Sequence, residues 1–170
     1  MLCVQDRLGE LVEMITVRAE GYCQDSLGKT FAYMDACHSA SSYEAILPAS
    51  TFSITETNDW QTRVAVAYDT FQRIALGTEV VRRDLDHHED GSDSVRQLWR
   101  RVEVQVEGVL INLHTEMVTR GWDTAPLTMA ALPPSLRCEA HRARRSHRDF
   151  IILRHVLHAA SFFTNTLNIH

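Results

Sequence analysis

The sequence has no uninterrupted apolar segment long enough to cross a bilayer, which takes about 18 or more residues. The longest candidate lies near the C-terminus, where Arg154, His155 and His158 interrupt it. Residues 1–14 also lack the basic start and apolar core of a signal peptide. We therefore expect no membrane insertion, and either a cytosolic protein or the mature form of a secreted one, with the signal peptide absent from this sequence.

Positive charge is also scarce, because 17 Lys and Arg residues face 22 Asp and Glu residues, giving a net charge of -5. A dedicated nucleic-acid binder is normally basic, so we expect no nucleic-acid partner. The one basic cluster, HRARRSHRDF at 141–150, lacks the interleaved aromatic residues on which bases stack. It favours a surface edge over a nucleic-acid channel.

Motifs for catalysis and metal binding are missing as well. The four cysteines form no CxxC pair, and neither GxSxG nor HExxH occurs. The segment SLGKT at 26–30 resembles part of a phosphate loop, but Cys23 stands where GxxxxGK[ST] needs glycine. The sequence therefore predicts no enzyme, no cofactor and no metal site.

What the sequence does contain is four segments with the three-or-four-residue apolar spacing of amphipathic helices. They run from Val4 to about Leu27, from Trp60 to Leu85, from Val95 to Met117 and from Ser146 to Leu167. The predicted N-caps are Asn58, Ser94 and Ser146, and the predicted helix stops are Gly28 and Gly121.

The connections between these helices predict the topology. Lys29–Thr57 and Trp122–Arg145 are long, whereas His87–Asp93 is short. A long connection can travel the full length of a helix, and a short one joins antiparallel neighbours. We predict a single all-α domain over residues 1–170, an up-up-down-down four-helix bundle with two long crossover loops.

The cysteines leave several pairings open. Cys3 and Cys23 lie at opposite ends of the first predicted helix, about 30 Å apart, so they do not bond to each other. We favour Cys3 with Cys138 and Cys23 with Cys37, because the second pair closes a short loop. The other cross-pairing and four free thiols in a reducing compartment are the alternatives.

Three stretches carry a resemblance to a known family. TETNDW at 55–60 followed by YDTFQRIALGTEVVRRDL at 68–85, and FIILRHVLHAASFFTNTL at 150–167, resemble the long-chain four-helix cytokines of the interleukin-6 superfamily. The resemblance implies a secreted cytokine that brings class I cytokine receptor ectodomains together, including the signal transducer shared by that family. A soluble receptor-like partner subunit is the alternative within this class. No catalytic residue is needed.

The resemblance also implies three receptor-binding surfaces. The tip where the last helix begins would include Arg148, Asp149 and Phe150. The outer faces of the first and third long helices would include Glu13, Arg18, Arg101 and Gln105. The end of the last helix would include His158, Asn165 and Asn168.

Each of these assignments has a plainer alternative, since a core position or a solvated helix face also explains the residues. An intracellular helical adaptor or regulator is the rival function, because it agrees with the missing signal peptide and with reduced cysteines.

Overall fold

The computed structural model describes residues 2–38, 46–55, 57–88 and 91–167, which are helical and contain no β-strand. The helices are α1 (Leu2–Leu27), α2 (Phe31–His38), α3 (Trp60–His88), α4 (Asp93–Thr119), α5 (Pro134–Arg137) and α6 (Arg142–Thr166). Short 3-10 turns, Ala49–Ser53 and Met129–Ala131, lie in the connections. None of the helices in these ranges is long and apolar enough to span a membrane. The predicted all-α fold with four long helices is confirmed.

The apolar faces of the four long helices form the core. In α1 the side chains of Leu8, Leu11 and Ile15 are fully buried, as their spacing predicts, whereas Val12 is only partly buried. α1 packs against α4 and α6, and α3 packs against the same two helices. Burying an aliphatic side chain contributes about 1.5–3 kcal/mol relative to leaving it exposed, so this core is the main stabilising element.

Polar contacts join the ends of neighbouring helices. Gln5 near the start of α1 donates to the carbonyl of Leu167 at 3.0 Å, just after the end of α6. The hydroxyl of Tyr22, near the end of α1, donates to the carbonyl of Ser146 in the second turn of α6 at 3.3 Å. At the start of α3, Arg63 donates to the carbonyl of Thr166 at 2.8 Å. The beginning of α1 and the beginning of α3 therefore both meet the end of α6.

The predicted N-caps of α3 and α4 are corrected by one and two residues. Asp59, not Asn58, caps α3, because its carboxylate accepts both the backbone N–H and the hydroxyl of Thr62 at 2.8 Å. These bonds lower the pKa of Asp59. Ser92, not Ser94, caps α4, because its hydroxyl accepts a backbone N–H of the first turn.

The predicted start of α6 at Ser146 is also wrong, because the helix already begins at Arg142. The guanidinium of Arg145 donates to the carbonyls of Glu139 and Ala140 at 3.3 and 2.6 Å, which holds the preceding chain against the first turn. The helix stops of α1 and α4 are confirmed. Gly28 and Gly121 follow α1 and α4 with φ of 62° and 68°, in the left-handed region that favours glycine.

The connection between α4 and α6 lies against the outer side of α3. The side chain of Gln72 donates to the carbonyl of Ala125 at 3.3 Å and accepts the backbone N–H of Leu127 at 2.7 Å. Further along, Arg83 donates to the carbonyl of Arg137 at 2.9 Å. This connection is therefore tied to α3 at both of its ends.

The two favoured disulfides are wrong, because Cys23 and Cys138 are both free thiols in the structure. Cys23 lies on the buried face of α1, and burial raises the pKa of its thiol to about 12. Cys138 is exposed just before α6, whose start lies by the end of α1. Cys3 sits in the first turn of α1, so the length of that helix separates it from Cys138. The side chains of Cys3 and Cys37 lie outside the described part of the chain.

Candidate interaction surfaces

Arg148, Asp149 and Phe150 are buried, although the sequence predicts them on an exposed tip. Their exposed fractions are 0%, 6% and 0%. Because α6 begins at Arg142, these residues lie inside the helix rather than at its mouth, and their side chains face the bundle. As the structure stands, the three offer no accessible surface to a partner, which corrects that expectation.

Arg148 is instead the centre of a buried ion-pair network. Its Nε and Nη2 donate to the carboxylate of Asp149 at 2.9 and 2.6 Å. Its Nη1 donates to the carboxylate of Asp84 on α3 at 2.8 Å and lies 3.4 Å from the carbonyl of Leu136 in α5. One guanidinium thus joins α3, α5 and α6. Sequence patterns contain no signal for this contact, because Asp84 and Arg148 are 64 residues apart.

An open polar pocket of about 180 Å³ adjoins this network. Tyr22, Asp25, Arg142 and Arg145 are among the residues that line it. Burial raises the pKa of Asp149 to about 6, against the opposing effect of Arg148. Opposite charges face one another here, which is the arrangement of a structural ion-pair network.

Of the residues nominated on the first and third long helices, the structure brings Arg18 and Gln105 to the seam between α1 and α4. Glu13 and Arg101 are exposed, and Arg18 and Gln105 are half-buried. Gln105 accepts a hydrogen bond from Arg7 on α1 at 3.3 Å, so its amide lies in the seam between the helices. The face is therefore formed jointly by both helices.

Beside these residues, a groove of about 250 Å³ lies between α1 and α4. Arg18, Tyr22 and Leu98 are among the residues that line it, together with Val17, which is 74% exposed. An aliphatic side chain this exposed at the edge of a groove is suited to contact with another protein.

The outer side of α4 presents an apolar stripe that the sequence analysis missed. Val104, Ile111 and Val118 are 60%, 64% and 55% exposed. Residues seven apart share a helix face, so the three form one line along α4. The signal for this stripe was present in the sequence as apolar residues at seven-residue spacing outside the core pattern of the same helix.

The third nominated surface lies at the end of α6. His158 and Asn165 are exposed there, and Asn168 lies outside the described residues. Next to them, the ring of Phe162 packs edge-on against the 42%-exposed Phe52.

Burial lowers the pKa of nearby His155 to about 4, and its Nδ1 has no hydrogen-bond partner.

Over residues 2–38, 46–55, 57–88 and 91–167, no group of three or more His, Cys, Asp or Glu side chains is placed to hold a metal ion. In comparisons with known proteins, no family model, curated protein or solved structure matches this chain.

Proposed function

We propose that the helices form an up-up-down-down bundle, in which α1 and α3 run in one direction and α4 and α6 in the other. The hydrogen bonds of Gln5 and Arg63 support it, because they bring the beginnings of α1 and α3 to the end of α6. At the start of α3, the indole N–H of Trp60 donates to Glu116 near the end of α4 at 3.2 Å. The chain between α1 and α3, and that between α4 and α6, would then be the long crossovers.

We propose that the protein is a secreted helical cytokine that binds class I cytokine receptors and brings them together. The observation that carries this proposal is the face of α1 and α4, where an apolar groove edged by the exposed Val17 lies beside unburied charges. Protein interfaces combine an apolar centre with a polar rim, and this face has both. The resemblance to the interleukin-6 superfamily supports the same assignment.

In this proposal the chain performs no chemistry. The packed core keeps the faces at fixed positions, so that one receptor chain docks on α1 and α4 and a second docks at the end of α6, near His158 and Asn165. Two ectodomains held on one bundle would bring their cytosolic kinases together. The shared signal transducer of the interleukin-6 family is the first receptor to test, alone and with a soluble receptor-like subunit.

Binding of the purified chain to a panel of class I receptor ectodomains tests the proposal. We expect saturable binding that Val17→Asp weakens by at least about tenfold, because a carboxylate would be desolvated in the contact. Gln61→Glu is the matched control, since it adds the same charge at an exposed position of α3. Absence of binding across the panel, or equal binding by both variants, would contradict the proposal.

One observation favours an intracellular adaptor as a second candidate. Cys23 and Cys138 are free, as in a reducing compartment, where disulfides are rare. Peptide mapping of the thiols after secretion from animal cells separates the two candidates. Free thiols at both positions in the active protein favour the adaptor, whereas a disulfide formed at either position favours the cytokine.

A further inference from the structure

Beside the apolar stripe of α4 runs a row of charged and titratable side chains. Its members repeat every seven residues and alternate between acidic and basic types. They are Asp93, Arg100, Glu107 and His114. All four are exposed, and since residues seven apart share a helix face, the row follows the stripe along the flank of α4 nearer α3.

The row has no electrostatic partner within the described chain. Among residues 2–38, 46–55, 57–88 and 91–167, none of the four forms an ion pair, although neighbouring Glu103 is paired with Arg82 at 2.9 Å. The ring of His114 lies 6.0 Å from that of Tyr68, which fixes its position on the α3 side. Alternating charges beside an exposed apolar stripe are the pattern of a helix that pairs with another helix.

We propose that a second copy of this chain covers the stripe, with the two α4 helices packed antiparallel about a two-fold axis near Val104. In this register Arg100 lies opposite the partner's Glu107, and Asp93 lies opposite the partner's His114. Val104 meets its own counterpart on the axis. Because the interface is isologous, the Arg100 and Asp93 contacts each occur twice.

Other arrangements lose these pairs. A parallel pair packed on the stripe puts the two rows on opposite sides of the seam, so Arg100 no longer faces the partner's Glu107. Sliding the antiparallel pair by one heptad sets either Arg100 against Arg100 or Glu107 against Glu107. Like charges across an interface disfavour association, so the row selects the register centred on Val104.

The interface would be small, because each copy contributes one helix of 27 residues, roughly 40 Å long. Contacts of this size belong to weak, transient dimers, with dissociation constants from roughly 10 to several hundred µM. The inference does not depend on the receptor proposal, since it concerns the chain alone.

Sedimentation velocity on the full chain, from roughly 5 to 500 µM, tests the inference. We expect wild type to associate, and Arg100→Glu to weaken association about tenfold because two attractive pairs become repulsive. Combining Arg100→Glu with Glu107→Arg should restore association to within about twofold of wild type. The matched control is Arg101→Glu, the same change on the flank of α4 that faces α1, which should associate to within about twofold of wild type.

Three results would overturn the inference. They are a wild-type chain that stays monomeric throughout the range, an Arg100→Glu variant that associates like the Arg101→Glu control, and a double variant that fails to recover. Circular dichroism of each variant checks that the fold is retained, which is expected because Arg100, Arg101 and Glu107 are all exposed.

Discussion

Replacing Arg148 by methionine removes the guanidinium that joins two aspartates inside the bundle. The side chain is fully buried, and it satisfies Asp149 twice and Asp84 once at 2.6–2.9 Å. Removing one partner of a buried ion pair costs about 3–5 kcal/mol, since the remaining charges stay desolvated. Methionine fills part of the volume and Asp149 can take up a proton. We therefore expect the free energy of unfolding to fall by about 3 kcal/mol.

Urea and thermal unfolding measure this effect. For a chain of this length, a loss of about 3 kcal/mol lowers Tm by roughly 10 °C. Arg144→Met is the matched control, because Arg144 is exposed one turn earlier in the same helix, and it should change stability by less than about 0.5 kcal/mol. Arg148→Lys, which keeps the charge but loses the bidentate geometry, should fall between the two. Equal stabilities for Arg148→Met and Arg144→Met would refute the reasoning.

Three further predictions concern titration, backbone conformation and thiol chemistry. The pKa of Asp149 is raised from 3.8 to about 6, so its stabilising contribution is complete below pH 3.8 and is lost as the pH rises through about 6. Asp149→Asn should remove this dependence, so that its stability relative to wild type rises between pH 4 and 6.5 by up to about 3 kcal/mol in urea titrations; a flat difference would contradict it. Gly28→Ala should lower the free energy of unfolding by about 1 kcal/mol, because alanine is strained at the positive φ of this position. Gly9→Ala, in the exposed interior of α1, should instead raise it by about 0.5–1 kcal/mol. The opposite order of Tm would be inconsistent with a helix that ends at Gly28. Mapped alkylation should label Cys138 in the native protein and Cys23 only after unfolding, and rapid native labelling of Cys23 would argue against its burial.

The four long helices were predictable because their apolar periodicity is sustained over many turns. Leu8, Leu11 and Ile15 recur on one face of α1, and the same arrangement holds along α3 and α4. Helix ends were harder, since Asn58 and Asp59 are equally good caps by residue type. The start of α6 depends on a tertiary contact. Arg145 holds the chain that precedes α6, so the helix begins at Arg142, before the first residue of its apolar pattern.

The candidate surfaces were predictable only in part. Exposed positions on α1 and α4 follow from helical periodicity, so Glu13 and Arg101 lie where the sequence placed them. The burial of Arg148 did not follow, because arginine is mostly a surface residue and its partner Asp84 is distant in sequence. The α4 stripe around Ile111 was visible as a heptad pattern, but it was masked by the stronger core pattern of the same helix.

The stoichiometry of the complex with receptor ectodomains tests the central claim most directly. Size-exclusion chromatography with light scattering on the chain mixed with two candidate ectodomains, one of them the shared signal transducer, determines how many receptors one bundle holds. The cytokine proposal predicts a complex in which one chain carries two receptor ectodomains, and in which Val17→Asp loses one of them. A chain that elutes apart from every ectodomain, or that never holds more than one, would contradict it.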